Sequence, residues 1–420
     1  MARRGVRKTR NGNKKIEFNH FSFLIVVFMI VIILGSITMI YKHQKTQKEQ
    51  EQKEQERLLA MREIYNANKG EELEQTEPIQ KDTTVTISVI GDILCEQPLY
   101  EDAKKEDGFD FSPMFEHIAK YTKKSDITIG TLETNFVQQN LSGFMKYNSP
   151  KELAIALKDI GVNVVSTATN HSLDYGKKGI VDTKEYLETL KIDTVGTRKE
   201  TQDSRILIKE IRGIKIAFLS YTYGINNDSN MRTEEKECVN QIEKEEILQD
   251  IVQAKQEGAQ YICAMMHWGD IAKEEINKQQ VEITSFLLEN EVDLVLGSHP
   301  SVIQKMEIRQ NAKQKDSFVA YSMGNFVSAS SYQNSDIEMI LEIQISKSAE
   351  TGEVTLRKVN YTPVYLLDNG TKAENRYQLY DIKDVIKRYQ IGDTEIVTQE
   401  IYEKLVEALE KIEVLIGKKQ

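Results

Sequence analysis

Residues 162–190 read VNVVSTATNHSLDYGKKGIVDTKEYLETL, and their three parts decide how the fold is read. Residues 162–168 are dominated by valine and other β-branched or small side chains, the composition of a buried strand. Residues 179–190 return Ile180, Leu187 and Leu190 at helical spacing. Between them lies a polar loop holding Asn170, His171 and Asp174. A strand that feeds a helix through a short loop is the repeating unit of an α/β domain.

The same unit recurs on either side. Strands are predicted at 84–90, 126–132, 162–168, 214–221, 260–266, 292–296 and 318–323, with helices at 151–160, 179–190, 244–256 and 272–290. The alternation predicts an α/β domain with largely buried sheets. Residues 337–345 and 353–365 have no helix between them and are expected to pair antiparallel, closing the sheet edge. From 382 to 417 the pattern is helical, Ile401, Leu405, Leu409, Ile412 and Leu415 marking one apolar face.

Ahead of this domain, residues 21–41 form a charge-free apolar run, FSFLIVVFMIVIILGSITMIY. At ~1.5 Å per residue a helix of that length crosses a bilayer core of ~30 Å, so a retained single transmembrane helix is expected. Arg3, Arg4, Arg7, Lys8, Arg10, Lys14 and Lys15 precede it against the single acid Glu17, which predicts a cytoplasmic N-terminus and an extracytoplasmic main domain. The expected organisation is a basic cytoplasmic tail (1–20), the membrane helix (21–41), a Lys/Glu/Gln-rich charged stalk (42–82), the α/β domain (83–370) and a C-terminal helical segment (371–420).

The chain's formal net charge is −10, and its first twenty residues carry +6, so everything after them carries −16. Such an acidic body excludes general nucleic-acid binding, which needs clustered Lys and Arg against phosphates. Three cysteines, Cys95, Cys238 and Cys263, allow at most one disulfide, so stability has to come from an apolar core.

Chemistry-bearing side chains gather where the strands end: Gly91-Asp92, Glu133, Asn170-His171, His267, His299 and Asn325. In α/β folds the carboxyl ends of strands form one rim, where ligands bind. Gly-Asp alone is an ordinary turn and a lone Glu an ordinary capping or ion-pair residue. Six such ends together are not explained that way. Imidazole, carboxylate and amide oxygen make a ligand set for Zn, Mn or Fe, and no cysteine motif competes. Asp92, Glu133, Asn170, His267 and His299 are the candidate metal ligands. Asp92, His171 and His267 are the candidate catalytic groups, and Asn170, Asp174 and Asn325 the candidate substrate contacts. His117 is read as a surface residue.

The ordered set Gly91-Asp92, Leu132-Glu133, Asn170-His171-x-x-Asp174-x-Gly176, His267-Trp268-Gly269, Gly297-x-His299-Pro300-x-Val302-x-Gln304 and Tyr321-Ser322-x-Gly324-Asn325-Phe326 resembles the poly-γ-glutamate capsule-synthesis (CapA) family. That family is similar to the calcineurin-like metallophosphoesterases. The resemblance implies a two-sheet sandwich flanked by helices, with a metal site at the strand ends. Four positions depart from it: Leu94 stands where Asp-x-His would place histidine, Ser301 where His-Pro-His would, and Thr169 and Thr131 where Asn-Asn-His and Asn-Leu-Glu would place asparagine. One divalent metal, or a polar pocket with none, is then as compatible as a two-metal site.

The resemblance further implies a membrane-anchored, extracytoplasmic component of capsule or poly-γ-glutamate synthesis or export. Its expected partners are a membrane-embedded polymer ligase or export complex and the anionic polymer itself. Catalysis would be metal-assisted hydrolysis or transfer. The alternatives are a non-catalytic, polymer-binding partner of the ligase complex, and a stand-alone envelope metallophosphoesterase.

Overall fold

The computed structural model describes Lys45 and residues 81–416, apart from 372 and 394–396. The predicted membrane helix and all but the last two residues and Lys45 of the predicted stalk lie outside the described residues. No helix among the described residues is long and apolar enough to cross a membrane.

The first sheet contains β1 (Thr83–Ile93), β2 (Ile127–Leu132), β3 (Val162–Ser166) and β4 (Asp193–Val195), with all neighbours parallel. The second contains β5 (Leu207–Ile211), β6 (Ile214–Thr222), β7 (Tyr261–His267), β8 (Leu294–Ser298), β9 (Met306–Gln310) and β10 (Asp316–Ala320), in the order β9-β10-β8-β7-β6-β5. There β6, β7, β8 and β10 are parallel, and β5 and β9 are antiparallel edges. Four later strands complete the first sheet: β11 (Asn325–Val327), β12 (Ile337–Lys347), β13 (Val354–Asp368) and β14 (Tyr377–Asp381). Its order is β14-β13-β12-β1-β2-β3-β4, and β11 pairs with the end of β1.

Alternation along each strand explains why the sheets stack. Val85, Ile87 and Val89 of β1 meet Ile216, Phe218, Cys263, Met265, Leu294 and Leu296 in one core between the sheets. Each such residue, fully buried, contributes roughly 1.5–3 kcal/mol. The opposite face of the first sheet is covered by α1 (Glu152–Asp159), α2 (Gly176–Thr189) and shorter helical turns. The opposite face of the second is covered by α3 (Lys244–Gln256) and α4 (Lys278–Glu289). The mixed α/β sandwich is thus as expected.

Several expectations are corrected. The antiparallel pair is β12 and β13, but it does not close the edge, because β14 adds outside β13. The segment 371–420 therefore opens with a strand, whose Tyr377 and Leu379 are buried by alternation. The tail helix is two helices, α5 (Ile382–Gln390) and α6 (Gln399–Leu415). Gly392, at φ 92°, ends the first in a left-handed conformation that most side chains avoid. Helix α4 starts later than its pattern implied, because Asn277 caps it by accepting the Gln280 N–H. His117 is half-buried and stacks on Tyr380 at 4.3 Å.

Candidate active site

Asp92, Glu133, Asn170, His171, His267 and His299 sit at or just after the carboxyl end of a parallel strand, whereas Asn325 opens β11 and Asp174 lies further along the loop after β3. Asp92 lies at the end of β1, just after a register irregularity between Val89 and Asp92 in its pairing with β2. Such bulges re-aim side chains. Gly91 is required there, since a Cβ would stand 2.1 Å from the Gly324 carbonyl oxygen. Glu133 follows β2 and is held by its N–H on the Ile93 carbonyl at 2.9 Å. Asn170 and His171 follow β3, His267 ends β7, and His299 follows β8.

These side chains converge. His267 Nε2 is 2.8 Å from Asn170 Oδ1 and 3.4 Å from Glu133 Oε2. Its Nδ1 is 2.9 Å from Ser298 Oγ, a hydroxyl that donates or accepts and so satisfies either tautomer. The His267 and His299 rings are 4.7 Å apart, and Tyr223 lies 4.7 Å from His299. Asp92 Oδ2 accepts the His299 N–H at 2.8 Å. That bond holds His299 at φ 95°, a backbone conformation that costs a non-glycine residue of order 1–3 kcal/mol and clusters at functional sites.

Burial sets the protonation. It holds His267 neutral, well below the usual imidazole range, and the neighbouring imidazoles add to the effect. It lowers His299 to about 4. Burial raises Glu133 far above the carboxylate range, and the charge of Asp92 raises it further. Asp92 itself is pushed up to about 7 by burial, against the opposing His299 N–H.

One ligand atom each from Glu133, His267 and His299 lie within 4.8 Å of one another, and all three residues are buried. Neutral imidazoles and a carboxylate suit Zn, Mn or Fe once the ion replaces the hydrogen bond between His267 Nε2 and the Asn170 amide oxygen. Asp92 Oδ1 beside them is buried and lacks a hydrogen-bond partner, an unmet acceptor that a cation would satisfy. The residues present therefore fit a divalent ion.

His171 is separate from that trio. Its Nδ1 is 2.8 Å from Asp174 Oδ2, its ring meets the edge of Tyr147 at 4.6 Å, and it lines a cleft of about 960 Å³ with Glu133, Asn170 and His299. Two expected substrate contacts are buried. Asp174 pairs with His171 and accepts the Tyr147 N–H at 2.9 Å, which orients both. Asn325 lies opposite Asp92 and donates to the Ser335 carbonyl at 3.1 Å, while its Oδ1 has no hydrogen-bond partner. Sequence reading missed Ser298, Asn226 and Tyr223. Ser298 was legible as the residue between Gly297 and His299; Asn226, whose side chain bonds Asn170 at 3.2 Å, carried no motif.

The family described as bacterial capsule synthesis protein PGA_cap matches residues 86–330, more than half of the 420-residue chain. The chain belongs to that family. Among curated members, the capsule biosynthesis protein CapA of Bacillus anthracis is 25% identical over 253 residues, covering 58% of this chain and 59% of its own. The PGA biosynthesis protein CapA of Bacillus subtilis (strain 168) is 25% identical over 254 residues, covering 59% and 64%. The chain thus spans less than two thirds of either relative. Among solved structures, the calcineurin-like phosphoesterase YfkN from Bacillus subtilis aligns with a TM-score of 0.43 at 14% identity, covering 67% of this chain and 91% of its own. The match to the PGA_cap family contains Asp92, Glu133, Asn170, His171, His267, His299 and Asn325, so the whole cluster belongs to the shared part. Helices α5 and α6 lie beyond it.

Proposed function

We propose that the protein is a membrane-anchored, extracytoplasmic component of capsule formation, serving poly-γ-glutamate synthesis or export through a metal-assisted hydrolase or transferase site. The observation that carries the site is the buried trio Glu133, His267 and His299, with both imidazoles held neutral. Family membership supports the capsule role. The apolar run 21–41 with its basic flank supports the anchor.

Glu133, His267 and His299 would hold a divalent ion, which supplies Lewis acidity toward a phosphoryl or acyl oxygen. Asn170 and Ser298 orient His267, and Asp92 fixes the turn that presents His299. His171, set by Asp174, is placed at the cleft to give or take a proton. The test is metal content of the purified protein together with polymer output of cells. Wild type is expected to carry a transition metal, and Glu133→Gln and His267→Ala to carry none and to lower output. Metal-free wild type, with both variants making normal polymer, would refute the catalytic reading.

Leu94 and Ser301, standing where the resemblance places histidines, both border the cleft. They favour a second reading, a polymer-binding partner of a membrane ligase complex without turnover. Metal-dependent cleavage of a phosphoester or glutamyl bond, lost in His267→Ala, would exclude it. The domain's placement outside the membrane is tested by protease access to intact cells stripped of wall.

A further inference from the structure

The loop after β6 carries Asn226 from the second sheet to the loop after β3 in the first, where its side chain meets Asn170. Backbone bonds hold it there. The Tyr223 N–H donates to the His267 carbonyl at 2.9 Å, and the Asn226 N–H to the Asn170 carbonyl at 2.9 Å. Ile225, its neighbour, is buried with Ala168, Leu173, Ile180 and Val239. The Asn226 side chain is thus not what keeps the loop in place.

That side chain lies in a run of bonds with a fixed direction. Asp174 Oδ2 accepts the Tyr147 N–H at 2.9 Å and stands 2.8 Å from His171 Nδ1. A carboxylate only accepts, so Nδ1 carries the proton and, in the neutral ring, Nε2 keeps its lone pair. Asn226 Nδ2 is 3.4 Å from both ring nitrogens, of which Nε2 alone can accept. Asn226 Oδ1 in turn accepts Asn170 Nδ2 at 3.2 Å, which leaves Asn170 Oδ1 facing His267 Nε2 at 2.8 Å. Turning the Asn170 amide over would set its oxygen against Asn226 Oδ1, one acceptor on another. Turning both amides moves that mismatch to His171 Nε2. A reversed Asn170 would also present its NH2 to His267, occupying the imidazole lone pair and pointing donors at any cation.

We propose that Asn226 is a positioning residue, which turns the amide oxygen of Asn170 toward the divalent ion that Glu133, His267 and His299 hold and makes that oxygen a further ligand. An amide oxygen is a ligand that Mn²⁺ accepts well. The inference rests on the metal-binding reading of the site given above.

The experiment is calorimetric titration of the full-length protein with Mn²⁺ alone, with urea unfolding of each variant in EDTA alongside. Asn226→Leu should weaken Mn²⁺ by about tenfold, the usual loss when the support of a ligand is removed. Its urea midpoint should stay near that of wild type, because the backbone and Ile225 hold the loop; where leucine does not fold, the smaller Asn226→Ala takes its place. Asn226→Asp keeps an oxygen for the Asn170 N–H and should bind Mn²⁺ at least as tightly as wild type. In an Asn170→Ala background, Asn226→Leu should weaken Mn²⁺ no further, since it acts only through that amide. Wild-type affinity in Asn226→Leu overturns the inference, as does an equal loss in Asn226→Asp, or a further loss of about tenfold on top of Asn170→Ala. Wild type that binds no Mn²⁺ at millimolar concentration sinks the metal site and this inference with it. Wild type that binds, with Asn226→Leu binding equally, sinks this inference alone.

Discussion

Replacing Asp92 by asparagine should make the metal-free protein more stable than wild type, by a margin that grows with pH. Asp92 is fully buried and its carboxyl is pushed from 3.8 to about 7. A raised native pKa means the folded state holds a proton that the unfolded chain has already released. Stability from this group is therefore full at low pH and is lost as pH climbs from the unfolded value to about 7. One such proton is worth ~1.4 kcal/mol per pH unit, so the loss between about pH 5 and about pH 7.5 is ~3 kcal/mol. Asparagine keeps an oxygen for the His299 N–H and has no proton to lose. At the lower pH both acceptors are neutral, and the strengthening of the His299 bond when Asp92 ionises is already contained in the value of about 7. The gap between the two proteins should then widen by ~3 kcal/mol over that interval. The assay is urea unfolding of both proteins in EDTA at the two pH values. Histidines and acids remote from Asp92 titrate in both and cancel in the difference, and removing the Asp92 charge that raises Glu133 only adds to the widening. A gap that stays constant or narrows would refute the reasoning. Adding manganese at a hundredfold over its dissociation constant should restore ~2.7 kcal/mol to wild type and less to the variant.

Gly297→Ala should prevent folding or cost more than ~3 kcal/mol, because its Cβ would stand 1.9 Å from the Tyr321 carbonyl oxygen and 2.6 Å from Trp268 Nε1; soluble yield and denaturant midpoint report it. Asn277→Ala should destabilise by about 1 kcal/mol, through loss of the cap on α4, with metal content unchanged. Asp174→Ala leaves the buried Tyr147 N–H unpaired, and a loss of roughly 1–3 kcal/mol in urea is expected. Metal affinity should fall with acidification below neutrality, because an entering cation has to displace the proton that burial keeps on the Asp92–Glu133 pair. Isothermal titration with Mn²⁺ across pH 6 to 8 should show proton release; an affinity independent of pH would contradict it.

The strands are legible because β-branched runs and sharply polar turns alternate, and the helical pattern over 244–256 coincides with α3. Strand β14 is not. Its five residues sit in a charged stretch, and only pairing with β13 reveals that Tyr377 and Leu379 face inward. The tail was read as one helix because its apolar spacing survives a break that depends on one glycine's backbone angle.

At the site, sequence alone determined which strand ends carry Asp92, Glu133, Asn170, His171, His267 and His299, since a motif is a local pattern of residue types. It also determined the acidic balance of the chain. Only the tertiary structure decided which of these meet. Glu133 arrives from the first sheet and His267 and His299 from the second, so their approach within 4.8 Å depends on how the two sheets stack. Burial separated the settings: Asp174 is paired with His171 and the Tyr147 N–H, Asn325 is enclosed opposite Asp92, and His171 remains at the cleft. Side-chain type is written in the chain, but burial, protonation and distance arise from packing between segments remote in sequence, which no local pattern encodes.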